Sequence, residues 1–510
     1  RWNPAGISSS AMRCGRGILT FEDEDFDFES HRMTPNESTT AQRLELVSWR
    51  FKPSKLGCLK DDAGVIEFKP LTLVCGQNNT GKTWVMYALY AFLTGLRLHK
   101  LPDMDVLAKD LEREGQAKWD LGAWAHQHGK KLTRAIDQAI ERSLPLVFNS
   151  EQDFFKGSRF DWDVDIAELT KQAIARPLEV NLVLGREKHQ VLRMTKRAGE
   201  SEVQLVQLSP FPGVENFLSE AIARHLIGNP PRRNVFLMPA ERNGLHLFSR
   251  ELASRRSALL HHASKKDKDI NIGELIQDVM ASRYAQPIAD YIDWLNDLPE
   301  IRKKKKGPFH DLAEEIKKII GGRYEVGAEG DISFTPYKVK RGDTSTPPKL
   351  DLHLTSSTVK SLFGLWVYLE YDAQPGDVLM IDEPELNLHP ANQRLMARLI
   401  ARLVNADLRV IASTHSDYLV REINSLIMLS RPASVQAELM QRYDYKKEEL
   451  LEPKQVSAWL FHDRAIKPMN IDSIEGIAAE TFDEQIHSLN GTSDGIYYAY
   501  QQAQDIGEHE

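Results

Sequence analysis

Short apolar runs, each ended by a polar or glycine-rich turn, punctuate the chain. LTLVC (71–75), VFLM within RRNVFLMPAERNGL (232–245), VLMI (378–381) and LRVIA (408–412) are wholly apolar or nearly so, and they predict buried strands. LELVSWRF (44–51) and VIEFK (65–69) predict two further strands. WVMYALYAFLTGL (84–96) is long and apolar enough for a buried helix. Helical spacing dominates from about 100 to 178, in runs such as KKLTRAIDQAIERSL and DIAELTKQAIARPL.

The period then changes. EVNLVLG (179–185), HQVLRMTKR (189–197) and EVQLVQL (202–208) alternate between polar turns, which predicts a small antiparallel sheet. Helical patterning returns over 250–320, YEVGAEGDISFTPY (324–337) reads as a hairpin, and VKRGDTSTPPK after it reads as a loop. From His353 to about Ser430 the order is helix, strand, loop, helix, strand. No repeat is present, and no heptad run is long enough for an extended coiled coil.

Composition changes this picture little. The 510 residues are 42% hydrophobic and 27% charged, as in ordinary globular proteins. A formal charge of −8 excludes a uniformly basic nucleic-acid binder, so any such contact needs a local patch. Cys14, Cys58 and Cys75 have no metal-ligand spacing, and a reducing, cytoplasmic setting is expected. No apolar run reaches the roughly 20 residues needed to span a membrane. EDEDFDFE (22–29) holds six acids in eight positions, so residues 1–32 are expected to form a disordered tail, with Met33 as a candidate start.

Chemistry enters with CGQNNTGKTW (75–84). Gly76-Gln77-Asn78-Asn79-Thr80-Gly81-Lys82-Thr83 has the phosphate-loop spacing and lies between a predicted strand and helix, as that motif requires. Backbone N–H groups at a helix start attract phosphate, and glycines at 76 and 81 permit the tight path. Lys82 would bridge the β- and γ-phosphates of ATP, and the Thr83 hydroxyl would ligate Mg²⁺. Trp84 follows at once, as an adenine contact or as helix core, the latter favoured by its apolar neighbours.

VLMIDEPELNLHP (378–390) places Asp382 at the end of a buried strand, where a Mg²⁺-holding carboxylate belongs. Glu383 beside it can polarise the attacking water. LRVIASTHSDYLV (408–420) ends a third strand in Ser413-Thr414-His415-Ser416, and His415 can reach a γ-phosphate or that water. In LHLTSSTVKSLFGLW (352–366), Ser356 and Ser357 are suited to cap an apolar helix whose start would be a second phosphate site. Glu241 and Arg242, after an apolar strand, read either as a pair near the nucleotide or as a structural turn. The run Arg302-Lys303-Lys304-Lys305-Lys306 reads either as a solvated turn or as a nucleic-acid patch.

Taken together, GQNNTGKT, IDEPELNLHP and STHSDYL resemble the ABC-type ATPase heads of the RecF/SMC/OLD-like branch. The resemblance covers roughly 41–95 and 350–430. It implies an α/β head with a mixed sheet, a small antiparallel subsheet and a helical insertion. The chain then divides into head parts at 33–100 and 350–430, an insertion at 101–349, and a C-terminal region at 431–510 suited to partner binding. The resemblance further implies a head-to-tail dimer sandwiching two ATPs. SSTVKSL stands where the family has its signature loop, so Ser356 and Ser357 would contact the γ-phosphate of the opposite subunit. Thr358-Val359 replaces the glycine usual there. PAERNGL (239–245) and SSTVKSL look like the ATPase subunits of prokaryotic anti-phage systems of the Septu (PtuA-type, including retron-associated) and PARIS (AriA-type) kinds. That implies a sensor or scaffold holding a separately encoded effector, with RNA–DNA or DNA as a further partner. The last 80 residues contain no DxD, HNH-like or Cys/His metal set, so no nuclease is expected in this chain. The alternatives are a RecF-like repair ATPase clamping DNA and a scaffold that binds ATP with little turnover.

Overall fold

In the computed structural model the described residues are 26–29, 49–95, 101–184, 189–228, 234–249, 284–337, 347–478, 488 and 490–498. Most of the expected tail, residues 250–283 of the stretch expected to be helical, and most of the loop expected after Tyr337 lie outside them.

The organising element is a six-stranded sheet in the order Val235–Met238, Val378–Asp382, Arg409–Thr414, Leu71–Gly76, Val456–His462, Ala465–Pro468. The first five strands run parallel and the last is antiparallel. Parallel strands are covered on both faces, which is why four of the five parallel strands read as continuous apolar runs. Side chains alternate between two cores. Leu71, Leu73 and Cys75 join one core while Val74 joins the other. Leu379 and Ile381 face the first, and Val378 and Met380 the second.

The Lys82–Gly95 helix, buried over most of its surface, lies on the second core. That core also holds the long Leu121–Val147 helix, capped by Asp120, whose side chain accepts the Ala123 N–H at 2.7 Å. Helices Ser357–Val367, Pro390–Asn405 and Asp417–Leu429 cover the opposite face. The fold class is therefore α/β, as expected.

The antiparallel subsheet is larger than the sequence suggests. Leu178–Leu184, His189–Lys196 and Glu202–Gln207 are joined by Gln116–Asp120 on one edge and Phe26–Glu29 on the other. Gln116–Asp120 falls in the stretch read as helical, as does Arg159–Trp162, which pairs with Trp49–Ser54. Both strands are only four or five residues long, too short to interrupt a helical pattern. Phe26–Glu29 corrects the expectation of a wholly unstructured acidic tail: four of its residues pair with Leu178–Leu184. The hairpin expected at 324–337 is formed by Gly322–Val326 and Ile332–Pro336.

Two strands of the central sheet lie outside the stretches assigned to the head. Val235–Met238 comes from the expected insertion and Val456–His462 from the expected C-terminal region. The latter pairs directly with the strand that enters the glycine loop. Such pairing joins residues almost 400 positions apart, so no local pattern announces it.

Candidate functional site

The carboxyl ends of three neighbouring parallel strands converge. Leu71–Gly76 delivers the glycine loop, Arg409–Thr414 delivers His415, and Val378–Asp382 delivers the acidic pair. The His415 strand is inserted between the other two, which sets the spacing of the groups.

The glycine loop needs its glycines. Gly76 has φ 142 and Gly81 φ 101. A Cβ on Gly76 would lie 2.4 Å from the Phe461 carbonyl oxygen, and one on Gly81 would crowd Leu59 and Cys58. Lys82 is buried, and its Nζ donates to the carbonyls of Gly76 at 3.1 Å and Gln77 at 2.6 Å. Burial holds its pKa below the usual lysine value, opposed by Asp382 and Glu383. Thr80 Oγ1 donates to the Gln77 carbonyl at 2.8 Å, and Asn79 takes φ 61.

Thr83 Oγ1 donates to Asp382 Oδ2 at 3.2 Å, although the two residues are 299 positions apart. Ser413 Oγ donates to the other Asp382 oxygen. Glu383 has φ 52, and its N–H meets both the carbonyl and the Oγ of Ser413 at 3.2 Å. Its Oε1 is 3.5 Å from His415 Nε2. Burial lowers the His415 pKa from the usual histidine value, helped by the Lys82 charge and opposed by Glu383. The backbone N–H of His415 donates to Glu385 Oε1 at 2.7 Å. Burial raises the Glu385 pKa.

A magnesium nucleotide suits this donor set. Thr83 and Asp382 offer hard oxygen ligands side by side, as Mg²⁺ requires. Lys82 offers a buried ammonium held by neutral carbonyls beside a helix start.

The structure brings Gly76 to Thr83, Asp382, Glu383 and His415 to one place. Trp84 does not present an open ring: it stacks on Phe148 at 4.5 Å, and Gly57 approaches it so closely that a Cβ there would strike the indole. Its place is in the helix packing. Ser356 caps the Ser357–Val367 helix by accepting the Val359 N–H at 3.3 Å, and both serines are exposed. Thr358, where the glycine was expected, donates to the Asn387 carbonyl at 2.7 Å and so ties this helix start to the turn after Glu383.

The basic run is exposed but engaged. Lys303 pairs with Glu300 at 2.6 Å, Lys304 with Asp372, Lys306 with Glu370 at 3.3 Å, and Arg302 reaches the Val326 carbonyl at 3.4 Å. Nearby, His310, Glu314 and Glu370 bring ligand-type atoms within 4.8 Å of one another. Lys306 sits 3.1 Å from His310 Nε2, and Lys317 pairs with Glu314, so ammonium groups already neutralise the cluster.

Sequence reading left the role of Arg242 open. It is 1% exposed and belongs to the site's foundation, donating to the backbone carbonyls of both Asp382 and Glu383. A charged residue just after an apolar strand was the signal, but the Asp382 and Glu383 acceptors are backbone atoms 140 and 141 positions away.

Residues 252–420 match a family described as AAA ATPase domain; this is about a third of the chain and does not reach the glycine loop. No curated protein matches the chain. Among solved structures the chain is similar to an Smc head domain with an extended coiled coil, bound to the C-terminal domain of ScpA, from Pyrococcus furiosus. That likeness has 13% identity, covers 88% of this chain and 100% of the other, and has a TM-score of 0.31. It is also similar to the SMC head domain from Thermotoga maritima, at 10% identity, 83% and 99% coverage and a TM-score of 0.28. The recombination mediator protein RecF is similar at the same identity and TM-score, with 83% and 98% coverage. No helix among the described residues is long and apolar enough to cross a membrane.

Proposed function

We propose that the chain is an ABC-type ATPase that binds ATP with Mg²⁺ at Gly76–Thr83 and hydrolyses it. The carrying observation is the meeting of Thr83 with Asp382 at 3.2 Å beside the Glu383–His415 pair at 3.5 Å. In this reading the loop N–H groups and Lys82 hold the phosphates, and Thr83 and Asp382 hold the metal. Magnesium bound there supplies neutralisation of charge on the phosphate oxygens. Glu383 takes the proton of a water that attacks the γ-phosphorus, the bond to the β-phosphate oxygen breaks, and ADP and phosphate leave. His415 hydrogen-bonds the γ-phosphate or the water and holds Glu383 in place.

The exposed helix start at Ser356 and Ser357 is suited to complete a second subunit's site, giving a nucleotide-driven dimer. ATP gripped by both subunits favours the closed state differentially. The dimer acts as a sensor or scaffold for a separately encoded effector in anti-phage defence. The sequence likeness of PAERNGL and SSTVKSL supports that role.

Two measurements test the proposal. Wild type should turn over ATP with Mg²⁺, and Glu383→Gln should lose about 100- to 10,000-fold in kcat while still binding ATP. Equal turnover in the two proteins sinks the assignment of Glu383. A tagged protein expressed with its neighbouring genes should retain a stoichiometric protein partner; retention of DNA alone, lost with salt, replaces the scaffold with a DNA clamp.

A further inference from the structure

Arg242 is the most completely enclosed cation of the site. Its guanidinium donates to four backbone carbonyls from three separate segments: Nε to Ser361 at 3.1 Å, Nη1 to Pro239 at 3.1 Å and Asp382 at 2.7 Å, and Nη2 to Glu383 at 2.6 Å. A planar fork with five fixed donors can serve such a set; a lysine ammonium cannot match its geometry. The direct acceptors are carbonyls, and Asp382, Glu383 and Glu385 lie near enough to stabilise the charge.

The acceptors identify what is being joined. Asp382 and Glu383 form the turn that aims the proposed water-activating carboxylate. Glu383 takes a left-handed φ of 52, which a glutamate keeps only when its surroundings impose it. Its N–H is held by Ser413 and its carbonyl by Arg242, so the residue is gripped at both of its backbone polar groups. Ser361 lies one turn into the Ser357–Val367 helix, whose exposed start carries Ser356 and Ser357.

A second bond from the same segment reaches the same helix. His246 lies within the helical residues 242–249, and its Nδ1 is 2.7 Å from the Lys360 carbonyl. Its Nε2 is 2.7 Å from the Tyr291 hydroxyl. Gly364 makes room for that hydroxyl, since a Cβ there would lie 2.0 Å from it. Residues 242 and 246 therefore bind consecutive carbonyls, 361 and 360, of one helix.

We infer that Arg242 is a positioning residue that locks the Asp382–Glu383 turn to the Ser357–Val367 helix, so that the seating of this helix sets the aim of Glu383. This rests on the ATPase reading for its catalytic consequence, but the mechanical link stands on the hydrogen bonds. A helix start engaged by a second subunit's nucleotide would then be felt by Glu383 of its own subunit through one side chain.

The test compares wild type, Arg242→Lys and Arg242→Met in the full chain. ATP affinity, kcat and KM are measured, together with hydrogen–deuterium exchange of peptides covering 358–366 and 380–386. Expected for Arg242→Met is a loss of tenfold or more in kcat with KM within about threefold, and faster exchange in both peptides. Arg242→Lys should recover part of kcat and part of the protection. Unchanged kcat, or faster exchange in one peptide with the other unmoved, overturns the inference. If Arg242→Met does not fold, the lysine variant alone decides by the same two readouts. A wild type that binds ATP without turnover sinks the hydrolysis reading only, and the exchange comparison still decides the link.

Discussion

Glu383 holds a backbone conformation that costs about 1 kcal/mol or more in an L-residue, and it does so beside His415, whose pKa burial lowers. Burial acts on further histidines in the molecule. His246 is pushed down to about 3, first by burial and then by the Arg242 charge, and His225 to about 4 by burial and Arg176. Well above pH 6.5 both are neutral in folded and unfolded chains and contribute nothing to pH dependence. Below 6.5 the unfolded chain binds protons that the folded chain refuses. Stability therefore falls as pH drops, from about 6.5 to about 3 for His246. Each such group contributes a slope approaching about 1.4 kcal/mol per pH unit. The urea midpoint of wild type is expected to fall between pH 6.5 and 5. His246→Gln should show a shallower fall; identical slopes refute the assignment. At this scale the phosphate loop, Asp382, Glu383 and His415 were legible because their types and spacings are local. Arg242 was not, because its acceptors are backbone carbonyls and carry no residue signature.

Among the elements, the Leu121–Val147 helix shows how packing overrides propensity. Gly129 sits in its interior, where glycine costs about 1 kcal/mol relative to alanine. A Cβ there would come 2.3 Å from Ile166 Cγ2, on the first turn of the Ile166–Ala175 helix. Ile166 is β-branched and stiff, so it cannot swing aside. Gly129→Val is expected to destabilise by about 1–3 kcal/mol through overpacking. Adding Ile166→Ala should return part of that, a coupling that a double-mutant cycle in urea unfolding would read directly. Strict additivity of the two changes would show that the helices do not meet there. The helical periodicity of this segment was readable from the sequence. The close crossing that demands the glycine was not, since it depends on a helix some 40 residues on.

For the whole molecule, the proposed nucleotide site joins strands drawn from residues 71–76, 378–382 and 409–414, backed by Val456–His462. A ligand that bridges these parts stabilises only the assembled fold. At 100 times its Kd, ATP with Mg²⁺ should add about 2.7 kcal/mol, seen as a rise of several degrees in thermal midpoint. Lys82→Ala should abolish most of that rise while leaving the ligand-free midpoint near wild type. A full shift in the variant would place the nucleotide elsewhere.

The sequence by itself determined the α/β class, the buried strands, the glycine loop and the acidic turn, because each is written in a run of consecutive residues with a fixed period or spacing. Tertiary structure decided which strands are neighbours, and so that Val235–Met238 and Val456–His462 belong to the same sheet as the glycine loop. It also decided that Trp84 stacks on Phe148, that Thr358 ties two turns together, and that one buried arginine grips the carbonyls of three segments. Those outcomes depend on backbone atoms and on contacts between residues from about 30 to almost 400 positions apart, and neither has a local pattern in the amino-acid sequence.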